Sequence, residues 1–130
     1  MKRFIRIGWE AFNRQDLDAA FLLYDRDCEC VWDPRWSTVG LESGIRGREE
    51  RVRAQRRILD EWQDLTFHPE ELIFHGDRVI SVGRMTAIGL SSGVPVEVEW
   101  VADFTIRGGR AVTERITIDH AEGLAAAGLS

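Results

Sequence analysis

Two charged residues that fall on the apolar face of a predicted sheet are the first candidates for chemistry. Residues 94–106 alternate between apolar and polar side chains, which is the period of a half-buried strand. Pairing with the neighbouring segments places Arg84 and Glu114 on the apolar side. Because desolvation raises the pKa of a carboxyl group toward the range of proton transfer, Glu114 is predicted to be catalytic; the alternative is a hydrated or paired residue at the rim. Arg84 is predicted to contact a ligand, by stacking on Trp100 or by holding an acidic or enolate oxygen.

Loop lengths decide this register, because a slip of one residue turns a strand over. A three-residue loop at Ser91-Ser92-Gly93 pairs Arg84 with Trp100 and puts the even-numbered side chains of both strands on one face. A three-residue loop at Gly108-Gly109-Arg110 keeps Glu114 on that face. A two-residue turn at the same glycines fits the local sequence, but it would move the apolar side chains of the last strand to the other face. We therefore predict three-residue loops in both hairpins.

Asp33 is the last residue of a short predicted strand that ends at Pro34. Strand alternation makes it face away from Cys28, Cys30 and Trp32, so it enters an interior chamber only if the strand bulges before the proline. The two cysteines are interpreted as small apolar residues. A Cys-x-Cys pair is a weak metal signal, and we predict no metal site.

Large apolar side chains on the predicted inward faces could line a cavity or could simply form the core. We expect them to line a chamber of about 300–1,000 Å³, the usual range for small-molecule sites. The predicted ligand contacts in addition to Arg84 are Trp9, Phe12, Trp32, Trp36, Trp62, Trp100, Phe104 and Ile116.

Helical periodicity and capping residues predict the elements that position these side chains. A first helix spans about residues 2–13, Asp16 caps a short second helix, and Asp119 with Glu122 opens the last one. The inward stripe predicted for the third helix is Val52, Gln55, Leu59 and Trp62. The order of helix, helix, strand, helix and four strands indicates an α+β domain with its helices on one face of a curved antiparallel sheet.

The length of 130 residues predicts one domain, residues 1–130, that is long enough to bury a core without metal or disulfide. A net charge of −5, from 17 basic and 22 acidic residues, argues against nucleic acid and against an anionic membrane surface as partners. No apolar run approaches the roughly 20 residues that span a bilayer, and the N-terminus does not read as a secretory signal. We expect a cytoplasmic protein.

Three segments resemble the SnoaL-like domains of the nuclear-transport-factor-2-like superfamily, which also holds the ketosteroid isomerases. They are EAFNRQDLDAAFLLYDRD, HGDRVISVGRMTAIGLSSGVPVEV and ADFTIRGGRAVTERITIDHAEGLAAAGL. The resemblance implies a cone-shaped, cystatin-like fold in which three helices wrap a bent sheet around a ligand chamber. It also implies a homodimer through the outer sheet face. The residues predicted to form that face are Met85, Ala87, Pro95, Val101 and Thr113.

The match to ketosteroid isomerase fails at the positions of that enzyme's catalytic residues. Gly8 stands at the position of the isomerase's oxyanion-hole tyrosine, and Ala102 stands at that of its oxyanion-hole aspartic acid. Matching the ending WDP puts Asp33 at the position of the isomerase's catalytic base, and the resemblance thereby makes Asp33 the second candidate for a catalytic carboxylate. Counting residues without a gap from Asp27 puts Trp32 there instead. We therefore predict that the protein is not a functional ketosteroid isomerase.

The resemblance leaves two kinds of function open. The first is a cofactor-independent acid-base enzyme, of the isomerase, cyclase, dehydratase or hydrolase type, acting on a hydrophobic cyclic or polyketide-like molecule. The second is a non-catalytic module that binds such a ligand or a partner protein. No acid-base pair in the sequence matches a known dyad, so the residues alone do not separate these two functions.

Overall fold

The computed structural model describes residues 2–32 and 44–128, and the side chains of residues 2–4 and 7 are not described. Asp33 and Trp36 therefore lie outside the described residues. The elements in chain order are α1 (Lys2–Asn13), α2 (Leu17–Ala20), β1 (Tyr24–Trp32), β2 (Ile45–Arg46), α3 (Arg48–Glu61), β3 (Trp62–His75), β4 (Arg78–Gly89), β5 (Pro95–Arg107), β6 (Arg110–Thr117) and α4 (His120–Ala126).

The six described strands form one sheet in the order β2-β1-β6-β5-β4-β3. All neighbouring pairs are antiparallel except β1 and β6, which are parallel. One face of the sheet, here called the inner face, packs against α1, α2 and α3 and holds the main core. The predicted α+β fold class is confirmed.

The outer face of the sheet carries a second, smaller apolar cluster. Ile80, Val82 and Val101 on this face pack with Ala127 at the end of α4. Asp119 caps α4 as predicted, since its Oδ1 accepts a hydrogen bond from the backbone N–H of Glu122 at 2.9 Å. The expectation that all helices lie on one face of the sheet is wrong. The helix α4 lies on the outer face, where it shields the apolar side chains of this cluster from water.

The predicted register between β4 and β5 is wrong by one residue. The strands are joined by a five-residue connection, residues 90–94, and Arg84 lies opposite Glu99. The side chains of Met85 and Ala87 consequently face the inner core, and that of Arg84 faces outward. The sequence pattern did not resolve this slip because β4 carries apolar residues on both of its faces.

The hairpin between β5 and β6 reaches the predicted register by another route. Arg107 pairs with Arg110, so the turn has two residues, Gly108 and Gly109, and the predicted three-residue loop is wrong. An irregularity between Thr105 and Ile106 then shifts the pairing by one residue. The result is that Phe104 lies opposite Glu114, as predicted.

The inward face of α3 is turned by about one position from the predicted face. Of the predicted stripe only Gln55 is buried, while Val52 and Leu59 are half-buried and Trp62 begins β3. The buried residues of the helix are Arg51, Ala54, Gln55 and Ile58. Apolar content alone predicted the wrong face because the sequence offers no local reason to bury an arginine.

The predicted homodimer stays a prediction, but the residues proposed for its interface need correction. Met85 and Ala87 lie in the inner core, and Val101 is 1% exposed in the cluster covered by α4. These three side chains are not available to a second copy of the chain.

Candidate functional site

Glu114 lies on β6 inside the protein, with 1% of its surface exposed. Its Oε1 accepts hydrogen bonds from the Nε of Arg51 at 2.8 Å and from the Nε1 of Trp32 at 3.2 Å. Its Oε2 accepts a hydrogen bond from the hydroxyl of Tyr24. The residue is thus on the inner face, as its position in the strand predicted, and it is paired rather than exposed at a rim.

Arg51 reaches this carboxylate from α3, and its guanidinium group also contacts two aromatic rings and the side chain of Gln55. Its guanidinium carbon lies 4.8 Å from the ring centroid of Phe21 and 5.0 Å from that of Trp32. Its Nη1 donates a hydrogen bond to the Oε1 of Gln55 at 3.1 Å. The positive charge of Arg51 compensates the negative charge of Glu114, which is the condition under which two buried charges are tolerated.

The environment fixes the protonation of the groups around Glu114. Burial, together with the negative charge of Glu114, raises the pKa of Tyr24 well above its ordinary value of 10.0. Burial, the largest single influence, would lower the pKa of Arg51, but the charge of Glu114 acts against it together with the smaller contributions of Tyr24 and Cys30 and the hydrogen bond to Glu114, and the net change is an increase. Near neutral pH, Tyr24 is therefore a neutral phenol and Arg51 a cation.

An apolar pocket of about 60 Å³ lies between α1, α2 and the β5–β6 hairpin and is partly open to solvent. Tyr24 is one of its lining residues and connects the pocket to Glu114 through its hydroxyl. Gly8 also lines it, and a Cβ at this position would lie 3.5 Å from the backbone oxygen of Ala20. Other lining residues include Ile5, Trp9, Phe12, Leu23 and Phe104.

A second, more enclosed cavity of about 20 Å³ lies deeper, between α1, α3 and the sheet. Trp9 lines both spaces, while Trp100 and Ile116 line only the inner one. Both volumes are far below the predicted 300–1,000 Å³. The described aromatic side chains fill the interior instead, since the ring centroid of Trp9 lies 4.7 Å from that of Trp100 and 5.4 Å from that of Phe12.

Five of the predicted ligand contacts line these two spaces, and a sixth, Trp32, hydrogen-bonds Glu114 instead. The five are Trp9, Phe12, Trp100, Phe104 and Ile116. Trp62 lies instead beside the β4–β5 connection. The predicted inward position of Arg84 is wrong, because the longer β4–β5 connection turns its side chain outward. There it is 45% exposed and pairs with Glu70 at 3.4 Å and with Glu97 at 3.3 Å.

Arg51 and Tyr24 are the members of the site that the sequence did not assign. Helical spacing offered a signal for Arg51, because it lies four residues before Gln55, which was correctly predicted to face inward. Tyr24, the first residue of β1, has no such local signal. Its role depends on contact with Glu114, which lies 90 residues away in the sequence.

The two cysteines of β1 are buried free thiols, with their Sγ atoms 3.9 Å apart. The hydrogen bond to Cys28, followed by burial, raises the pKa of the Cys30 thiol, which disfavours the nucleophilic thiolate. Among residues 2–32 and 44–128, no group of three or more His, Cys, Asp or Glu side chains could hold a metal ion. No helix in the same part of the chain is long and apolar enough to cross a membrane.

Solved structures with the same architecture cover nearly the full chain. A protein of unknown function from Burkholderia pseudomallei, described as NTF2-like, has a TM-score of 0.82 and 24% identity, with 95% of this chain and 94% of that one covered. TerC co-crystallised with polyporic acid gives 0.76 and 21%, covering 93% and 92%. A protein from Catenulispora acidiphila with a ketosteroid isomerase-like fold, in complex with trimethylamine, gives 0.77 and 16%, covering 98% and 93%. At these identities the likeness establishes the fold.

Sequence comparison gives the family. No curated protein matches the chain. The sequence model of the SnoaL-like domain, however, matches residues 5–114, which include both Tyr24 and Glu114. The chain therefore belongs to the SnoaL-like domain family and has the NTF2-like, ketosteroid isomerase-like fold.

Proposed function

We propose that this protein is a cofactor-independent acid-base enzyme acting on a small hydrophobic molecule of cyclic or polyketide-like type. The observation that carries the proposal is the fully buried Glu114, hydrogen-bonded to Tyr24, which lines an apolar pocket. A proton carrier beside an apolar pocket is what general acid-base catalysis requires. The reaction classes that fit are isomerisation, cyclisation, dehydration and hydrolysis.

The hydrogen bond between Tyr24 and Glu114 provides a route for the proton. The phenol donates its proton to Oε2 of Glu114, and its oxygen keeps lone pairs that can accept a proton from the ligand. A proton leaving the ligand then binds the phenol oxygen while the phenolic proton passes to Glu114. Tyr24 stays neutral throughout, in agreement with its raised pKa. Arg51 and Trp32 hold the carboxylate in position.

Related structures support a small-molecule site, since TerC was crystallised with polyporic acid and the Catenulispora acidiphila protein with trimethylamine. A pocket of about 60 Å³ is too small for a ring, so binding requires the lining side chains to move. Trp9 lines both the pocket and the inner cavity, and we propose that its rotation joins the two spaces.

One observation favours the second candidate, a non-catalytic ligand-binding or protein-interaction module of the same fold. Glu114 already accepts hydrogen bonds from three side chains and is paired with Arg51. Holding α3 against the sheet is a sufficient role for a carboxylate that is paired in this way, and it needs no chemistry. The two functions differ in whether loss of the carboxylate stops turnover of a bound molecule.

The test begins with the small molecules that mass spectrometry detects on the protein purified from its own host. Turnover and binding of the recovered molecule are then compared in the wild type and in Glu114→Gln, with Glu97→Gln as the matched control, because Glu97 is exposed on the outer face. Asp33→Asn is measured in parallel as the other predicted catalytic carboxylate. We expect Glu114→Gln to reduce turnover by about 10²–10⁴-fold while binding persists. Equal turnover in all variants would assign the chemistry to other residues or support the binding module.

A further inference from the structure

Two buried side chains that line the inner cavity carry N–H groups that the hydrogen-bond network around Glu114 does not use. Gln55 and Trp100 both line this cavity, and each is 1% exposed. Among the described residues, the Nε2 of Gln55 and the Nε1 of Trp100 have no hydrogen-bond partner. Buried N–H groups without a partner are destabilising and are rare in folded proteins. Two of them beside one cavity therefore indicate a partner that residues 2–32 and 44–128 do not supply.

The orientation of the Gln55 amide is set by the hydrogen bond to its carbonyl oxygen. Its Oε1 accepts a hydrogen bond from the Nη1 of Arg51 at 3.1 Å, which assigns the NH₂ group to the remaining side of the amide. The cavity is otherwise lined mainly by apolar side chains, among them Ile58, Met85 and Ala102. The unpaired donors among the residues that line it are the amide of Gln55 and the indole N–H of Trp100.

We infer that Gln55 and Trp100 form a binding subsite for one oxygen atom that acts as a hydrogen-bond acceptor. Water supplies this oxygen in the free protein, and the carbonyl oxygen of a ligand supplies it in the complex. Both protein groups are donors, so the partner must be an acceptor, and a space of about 20 Å³ holds one atom of the size of water. The charge of Arg51 is compensated by Glu114, so the subsite favours a neutral carbonyl over a carboxylate.

This inference rests on the proposed function, because it assigns a carbonyl group to the hydrophobic ligand of the same interior. It adds that the subsite selects ligands that carry a carbonyl group. A ligand that places its carbonyl oxygen between the two donors replaces the water without loss of hydrogen bonds. An analogue without the oxygen leaves both N–H groups unpaired and binds more weakly.

The test compares cyclohexanone with methylenecyclohexane, in which a CH₂ group replaces the carbonyl oxygen and the shape is nearly unchanged. Binding is followed through the indole N–H resonances of isotopically labelled protein, with Trp100 assigned from the Trp100→Phe variant. Trp62 is the internal reference, because its Nε1 also has no partner among the described residues but it lies outside this cavity. We expect cyclohexanone to move the Trp100 resonance and not that of Trp62, and to bind about tenfold more tightly than methylenecyclohexane.

The variant Gln55→Leu should abolish most of this preference while changing the binding of methylenecyclohexane by less than about twofold. If the Gln55→Leu variant does not fold, the Gln55→Met variant, which keeps the length of the side chain, is measured in its place. Trp62→Phe is the matched control and should leave both affinities unchanged. Equal binding of the two probes, an unmoved Trp100 resonance, or no binding of cyclohexanone at its solubility limit would overturn the inference. A water molecule that contacts the Trp100 N–H and is not displaced would mark a structural water only, which also overturns it.

These outcomes are independent of the test of the proposed function. Loss of turnover in Glu114→Gln without a preference for cyclohexanone would remove the subsite and keep the enzyme. A preference for cyclohexanone that depends on Gln55, with no turnover dependent on Glu114, would keep the subsite and support the binding module.

Discussion

Tyr24 combines two environments, since its ring lines an apolar pocket and its hydroxyl donates to a buried carboxylate. Its ring also packs edge-on against Phe21 and Phe104. These contacts leave the phenol little freedom to move away from Glu114. The ionisation of its hydroxyl therefore reports on the environment of Glu114.

The ionisation of Tyr24 can be followed alone, because the sequence contains one tyrosine. Burial and the charge of Glu114 raise its pKa above the ordinary value of 10.0, so the folded protein holds the phenolic proton where the unfolded chain releases it. The resulting stabilisation is complete below about pH 10 and is lost as the pH rises from there toward the folded-state pKa. We expect phenolate absorbance to appear only together with alkaline unfolding, as measured by circular dichroism. A phenolate that forms near pH 10 in the folded protein would contradict the burial of Tyr24.

The ion pair of Arg51 and Glu114 predicts a large effect of removing one partner. Arg51→Met leaves a carboxylate buried without its counter-ion and is expected to lower the free energy of unfolding by about 3–5 kcal/mol in urea. The double variant Arg51→Met/Glu114→Leu should recover most of this loss, because neither charge remains. Arg84→Met, which removes an exposed ion-pairing arginine, is the control and should cost about 0–1 kcal/mol. A small effect of Arg51→Met would mean that water reaches Glu114.

At the scale of elements, α4 depends on a close approach to the sheet that only glycine permits. A Cβ built on Gly123 would lie 2.3 Å from Thr117 Oγ1 and 2.5 Å from Val101 Cβ. By contrast, a Cβ on Gly8 in α1 would meet the backbone oxygen of Ala20 at an ordinary 3.5 Å. The two helical glycines therefore form a matched pair for a test of packing.

Alanine is a better helix former than glycine by about 1 kcal/mol, so propensity alone predicts that both Gly8→Ala and Gly123→Ala stabilise the protein. We expect this for Gly8→Ala. Gly123→Ala should instead lower the free energy of unfolding by about 1–3 kcal/mol, because the new methyl group pushes α4 away from Val101. Urea unfolding of both variants measures the difference. Equal stabilisation of the two would show that α4 is not docked on β5.

The sequence correctly predicted which side chains face inward in strands with apolar residues on one face only. It failed in the strand that has apolar residues on both faces. Residue parity in β5 and the position of Glu114 were correct, because these strands have one clear apolar inner set. In β4 both faces are apolar, since Ile80 and Val82 lie under α4 while Met85 and Ala87 face the core. Arg84 was consequently assigned to the wrong side.

Arg51 was missed for a different reason. Burial of a charged side chain depends on its partner, and the partner Glu114 is 63 residues away. No local pattern in α3 carries that information. The small cavities were also beyond prediction, because their size is set by how Trp9, Phe12 and Trp100 stack on one another.

At the scale of the whole molecule, both faces of the sheet are partly covered by helices. The uncovered part of the outer face carries charged and polar side chains, including Arg84, Glu97 and Thr86. The predicted homodimer, if it uses this face, must pair such groups rather than the apolar side chains first proposed. An interface of this type is weakened by salt, in contrast to an apolar one.

The chemistry of the interior, taken as a whole, predicts that this protein fails as a Δ5-3-ketosteroid isomerase. That reaction needs donors to an enolate oxygen, and the loss of one such donor costs about 10²–10³-fold in rate. Gly8 lines the apolar pocket and Ala102 lines the inner cavity, and neither side chain can donate a hydrogen bond. We expect the rate of conjugated enone formation, followed by its absorbance, to equal that of the Glu114→Gln variant. An isomerase rate that the wild type shows and Glu114→Gln lacks would mean that Glu114 serves as the base and that other donors, with Gln55 and Trp100 the first to test, hold the enolate.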